Sequence, residues 1–136
     1  MRFLDSWSLR LLSVLRVVAA LCFIEHGTSK FFQFPTAMGS GHLTPMTMVA
    51  GALEFGGGTL VLLGLFTRPI AFLLSGEMAV AYWMVHAKMG LYPIVNAGEA
   101  AVLYCFVFLY IAAAGPGPWA LDAVFGKKRG LEPAAT

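Results

Sequence analysis

Four apolar stretches, each close to the length needed to cross a bilayer, occupy most of this chain. They cover about 8–24, 45–66, 69–87 and 97–114, and Arg16, Glu54, Glu77 and Glu99 lie inside them in that order, with Arg10 near the start of the first and His86 near the end of the third. A transmembrane helix takes roughly 20 predominantly apolar residues. An ionisable side chain at membrane depth costs roughly 2.5–3.5 kcal/mol on insertion scales, so such groups face inward, pair, or serve a function. The chain is 59% hydrophobic and 12% charged, about half the charge of an ordinary soluble domain, near 25%. The reading that fits is an all-α, polytopic membrane protein: one four-transmembrane-helix bundle as a single domain over 1–136.

Local signals place the ends. Arg16 interrupts the first apolar run, and no small-x-small cleavage site precedes a polar mature chain, so a span is favoured over a signal peptide. Pro45 and Pro69 open the second and third spans, where proline fits a first helical turn. Gly115-Pro116-Gly117-Pro118 stops the fourth. The segment 25–44, rich in Phe31, Phe32, Phe34 and Pro35, reads as interfacial chain or a flap over the bundle mouth. The tail from about 119 reads as amphipathic, then basic, with a disordered end.

Positive charge sets orientation. Arg2, Arg10, Arg68, Lys127, Lys128 and Arg129 flank the side that holds both termini, against Lys30 and Lys88 on the other. Both termini are therefore expected in the cytoplasm. No basic, aromatic-interleaved patch points to nucleic acid. Cys22 and Cys105 fall at different depths and read as small apolar fillers rather than a redox pair.

Counting the helical rise from the cytoplasmic ends puts Arg16 and Glu77 about 12 Å in, Glu54 about 16–18 Å and Glu99 about 22 Å. His86, Glu25 and His26 fall at about 25–27 Å. Arg16 is thus expected to meet Glu77 or Glu54. Glu25, His26, Lys30, His86 and Asn96 gather at an outer mouth, with Glu25 reaching water or pairing with Lys30. The structural reading of Arg16 with a carboxylate is an ion pair that fixes helix rotation, since breaking such a pair leaves a costly orphan charge. The functional reading is a proton or ligand site. One arginine cannot neutralise three glutamates, and a carboxyl group kept neutral can relay protons or hydrogen-bond a quinone carbonyl.

His26 and His86, at similar depth on different helices, meet one requirement of haem ligation, and with Glu25 and Glu99 they are ligand types that suit iron, manganese or zinc. However, both histidines lie at expected helix ends, and no Glu-x-x-His pair of the di-iron bundles is present. Haem and metal are therefore disfavoured, and interfacial hydrogen bonding is preferred. Ala52, Gly56, Gly57 and Gly58 are small residues that let a neighbouring helix approach near Glu54; the alternative is that they leave room for a flat ligand.

The run from Arg16 through Phe23 to His26-Gly27 and Lys30 resembles the opening motif of the DoxX family. Glu54-Phe55-Gly56-Gly57-Gly58 with Gly64-Leu65-Phe66-Thr67-Arg68 resembles its second-helix motif. Asn96-Ala97-Gly98-Glu99, Leu103-Tyr104 and Gly115-Pro116-Gly117 resemble its last-helix motif. The resemblance covers about 9–122. It implies a small four-helix protein of the bacterial inner membrane, with relatives that resemble subunits of thiosulfate:quinone oxidoreductases or accompany redox enzymes. It implies fold more strongly than catalysis. With no thiol pair, flavin fingerprint or soluble catalytic domain, a quinone-interacting or partner-recruiting subunit of a redox system is expected. Its site would be Arg16, Glu54 and Glu99, with His26, Lys30 and Asn96 at the mouth, and self-association is left open. The alternatives are a small proton-coupled carrier or channel, and a scaffold or assembly protein whose charges only lock the bundle.

Overall fold

The computed structural model describes residues 2–38 and 43–128. Among these the chain forms helices and no strand. Four long helices follow the four apolar stretches: α1 (Ser8–Phe32), α2 (Pro45–Leu63), α3 (Thr67–Met89) and α4 (Glu99–Ala114). A short helix, α5 (Leu121–Lys128), follows. By length and composition α2 and α3 can each cross a membrane, and α4 is a shorter apolar helix. α1 has 25 residues but carries Arg10, Arg16, Glu25 and Lys30.

The helices pack as two antiparallel pairs, α1 with α2 and α3 with α4, joined by contacts between α2 and α3. α1 and α4 touch at few positions. Leu12, Ala20 and Phe23 of α1, Val61 of α2, Leu74 and Met78 of α3, and Phe108 and Ile111 of α4 form the shared core. Polar residues are also inside: Ser13, Arg16, Ser29, Glu54, Ser75 and Asn96 are buried. Large apolar side chains point outward on every long helix, among them Leu11, Val18, Val49, Phe72, Val80, Leu103 and Phe106. That arrangement suits a chain whose surroundings are hydrocarbon, where an ionisable group turns to the bundle interior.

α1 runs eight residues past the expected end at about 24. His26-Gly27 is not a stop signal. Gly27 is buried in mid-helix, and a Cβ there would lie 2.6 Å from the Phe55 amide nitrogen. The glycine lets the two backbones touch. The expected connection over 25–44 shrinks to the chain from Gln33, whose φ of 55° ends the helix, to Thr44. Thr44 caps α2, its hydroxyl accepting the Thr47 N–H at 3.2 Å, with Pro45 in the first turn. α2 stops at Gly64, whose φ of +69° favours glycine. α3 begins at Thr67, two residues before the expected Pro69. The Asp122 carboxylate accepts the Phe66 and Thr67 N–H groups at 2.9 and 2.8 Å, satisfying donors that a helix start leaves open. The expected disordered end falls on residues 129–136, outside the described residues.

Arg16 ties these ends together, and this corrects the expected ion pair. It meets neither Glu54 nor Glu77. Nε donates to the Pro116 carbonyl at 2.8 Å. Nη1 donates to the Val61 and Leu62 carbonyls, and Nη2 to that of Trp119. The side chain is fully buried. The last turn of a helix leaves carbonyls without partners, and a planar guanidinium presents five donors in a fixed fork. Arg16 therefore caps α2 and fastens the chain that follows α4 to it. Arg68 does the same for α4, donating to the Ala112 and Ala113 carbonyls at 3.1 and 2.6 Å.

Two outcomes follow from this packing. Arg16→Ala should lower stability by at least about 3 kcal/mol, because several charge-assisted hydrogen bonds are lost together, and Arg16→Lys should restore little, since an ammonium lacks the fork. Thermal unfolding in detergent measures both, and a wild-type melting temperature for Arg16→Ala would contradict the clamp. Gly27→Ala should cost about 1–3 kcal/mol by forcing α1 from α2. Gly56→Ala, where a Cβ meets nothing within 4 Å, should be neutral or stabilising by up to about 1 kcal/mol. Equal losses for the two glycines would count against the assigned contact.

Candidate functional site

The close approach at Gly27 sets the register of α1 on α2. Gly27 faces Phe55, and Ile24 lies against Gly58. Lys30, one turn beyond Gly27, then passes beside Glu54. Its ammonium donates to both Glu54 carboxylate oxygens, at 2.6 Å for Oε1. The Glu54 side chain is 5% exposed and that of Lys30 19%. Glu54 sits in a π-helical turn, Leu53–Gly57, a local widening often found at functional sites.

Glu77 of α3 completes the cluster. Both its carboxyl oxygens are buried and neither has a hydrogen-bond partner. The charged groups that act on it are Glu54 and Lys30. Counted by helical rise, Glu54 lies about 15 Å from Gly64 and Glu77 about 15 Å from Thr67, so the two carboxyl groups share one level. Buried polar groups are nearly always hydrogen-bonded, so an orphaned carboxyl group calls for an explanation.

An aromatic set adjoins this cluster. His26 lies one turn before Lys30 on the same face of α1. Its ring stands edge-on to Tyr104 at 5.8 Å and is tilted against Phe23 at 6.4 Å. Tyr104 stacks on Phe108 at 5.8 Å. Beside it the sparse seam between α1 and α4 leaves an apolar groove of about 330 Å³, lined by Leu15, Val18, Cys22, Ala100, Leu103 and Tyr104 among others.

The residues expected at one site therefore divide. Glu54, Glu77 and Lys30 come together, with His26 next to them. Arg16 belongs to the clamp at the other end of α2. Lys30 moves inward from the expected mouth, because α1 continues as helix and the long side chain reaches the Glu54 carboxylate rather than Glu25. Glu25 is exposed. Glu99, expected within the intramembrane site, is also exposed, in the first turn of α4, where a helix N-terminus favours negative charge. Asn96 is used up by its own loop. Its amide donates to the Gly90 carbonyl at 2.6 Å and its side-chain oxygen accepts the Gly98 N–H at 2.8 Å. His86 Nδ1–H donates to the Asn96 carbonyl at 3.0 Å, and its ring stacks on Tyr82. Among the described residues no three His, Cys, Asp or Glu side chains converge as a metal site requires. Two contributors were missed by sequence reasoning. Asp122 was visible only as an acid among basic neighbours, and Tyr104 only as part of the last-helix motif.

The chain was compared with known proteins. The DoxX family model matches residues 11–87. An uncharacterized protein of Haemophilus influenzae is 47% identical, covering 94% of this chain and 100% of that protein. The Escherichia coli protein named "Inner membrane protein YqjF" is 28% identical, covering 85% of this chain and 92% of its own. The Bacillus subtilis protein named "Putative oxidoreductase CatD" is 34% identical, covering 86% and 90%. No solved structure matches. With its apolar exterior, its polar interior and these relatives, this chain is a membrane protein and belongs to the DoxX family.

Proposed function

We propose that this protein is a four-span inner-membrane subunit of a redox system, with both termini cytoplasmic, whose Lys30–Glu54–Glu77 cluster meets the carbonyl of a quinone-type ligand. The observation that carries the reading is the orphaned Glu77 carboxyl group, buried at membrane depth beside an ion pair. An ammonium and a carboxyl group are the donors that a quinone carbonyl accepts from. The apolar groove next to His26 and Tyr104 suits a ligand that arrives from the lipid. A bound quinone would supply the electron-accepting chemistry; this chain's residues would hold and orient its head. A relative named as an oxidoreductase supports the redox association. Topology rests on the count of basic residues, six against two.

A proton-conducting carrier is the second reading, favoured by the same feature: two buried carboxyl groups at one level with a single lysine, paired to Glu54, beside them. Under a scaffold reading the cluster would only lock the bundle.

Three variants separate these readings. Glu77→Gln should leave the melting temperature near wild type, since it removes no hydrogen bond, and should abolish quinone retention per folded molecule. Lys30→Met should lose both, with a stability cost of about 3 kcal/mol, the low end for breaking a buried pair because Lys30 is partly exposed. Lys30→Met with Glu54→Leu should recover stability without quinone, since an apolar replacement of both partners is often neutral. Normal quinone retention in Glu77→Gln would remove the ligand reading. Glu77-dependent proton flux into liposomes without quinone would favour the carrier. For topology, reporter fusions after Arg129 should read as cytoplasmic and fusions between Thr36 and Leu43 as periplasmic; the reverse pattern would invert the bundle.

A further inference from the structure

The tail helix α5 is held at the end of the bundle by contacts that do not use its apolar stripe. The Asp122 carboxylate takes the Phe66 and Thr67 N–H groups, and the Asp122 N–H donates to the Gly64 carbonyl at 2.9 Å. Just before the helix, Arg16 holds the Trp119 carbonyl. Leu121, Val124 and Phe125, spaced i, i+3 and i+4, lie along one side of α5 and are 38%, 51% and 50% exposed. Trp119 is 57% exposed. Lys127 and Lys128 end the helix, and Arg129 follows in sequence.

We propose that α5 lies along the membrane surface and docks on anionic phospholipid, with Trp119, Leu121, Val124 and Phe125 entering the interface and the basic run Lys127-Lys128-Arg129 of the sequence supplying the charge attraction. Position argues for a lipid surface. The hydrogen bonds of Asp122 fix the start of α5 where α2 ends and α3 begins, beside helix flanks whose apolar side chains already face outward. Composition argues the same way: an apolar stripe ending in lysines, with tryptophan at its start, is the pattern of an interfacial helix. Three to four partly inserted apolar side chains are too few to hold a helix of eight residues alone, so charge attraction must add to them. A protein partner would find a stripe far smaller than a stable interface needs.

Hydrogen exchange on the full-length protein in lipid nanodiscs tests this. Amides of residues 121–128 should exchange about tenfold more slowly in nanodiscs that contain phosphatidylglycerol than in phosphatidylcholine alone. Lys127→Gln with Lys128→Gln should remove that difference while leaving exchange in α2, α3 and α4 unchanged. High salt should reduce it, since the attraction is screened. Equal protection in both lipids would overturn the proposal, because the bundle or another protein surface would then suffice to hold α5. Fast exchange in both would overturn it as well.

Discussion

One guanidinium closes this bundle. Arg16 enters from the first helix and finds backbone carbonyls at the end of α2 and in the chain after α4. In a nonpolar surrounding a carbonyl left without a donor costs several kcal/mol, and Arg16 supplies one to the Pro116 and Trp119 carbonyls and a further one to that of Val61, which also accepts the Gly64 N–H. The charge itself is offset by oriented backbone dipoles, with Asp122 the acidic side chain that acts on it. Arg68 of α3 repeats the device at the end of α4. The turn between α2 and α3 and the break after α4 therefore form one assembly, and the tail cannot move without disturbing the top of α3.

That arrangement frees the other half of the molecule. Because Arg16 is committed elsewhere, the cation beside Glu54 is Lys30, and Glu77 is left with no cation of its own. The helix ends are heavily satisfied, while the middle of the bundle holds a carboxyl group with nothing to bond. A protein that needed only to stay folded would gain from an apolar residue there.

The helices, their order and the inward turn of Arg16 and Glu54 were legible in the sequence, because apolar length and the cost of buried charge act residue by residue. Gly27 was not. A glycine after a histidine reads as a helix end, and only the facing backbone of Phe55 shows that it is a contact surface. Arg16 was singled out correctly but given the wrong partner. Sequence counting compares side chains with side chains, whereas its acceptors are carbonyls, which carry no residue type. Glu99 looked like Glu54 in composition and depth. What separates them is place: Glu54 lies in the middle of α2 against α1, whereas α4 starts at Glu99, which stays exposed in its first turn.

A π turn holds one residue more than the α turn it replaces, so the helical segments on either side of it are out of phase by about 100°. In α2 the turn at Leu53–Gly57 fixes how Pro45–Ala52 is presented to the first helix, including the seat of Gly51 against the Phe31 ring. In α3 the turn at Tyr82–His86 brings His86 back onto the Tyr82 ring. Loss of a single residue from either turn would return it to α geometry and swing a whole segment around its axis. Through these two stretches the number of residues is constrained as tightly as their identity, so the chain can vary there by substitution far more readily than by insertion or deletion.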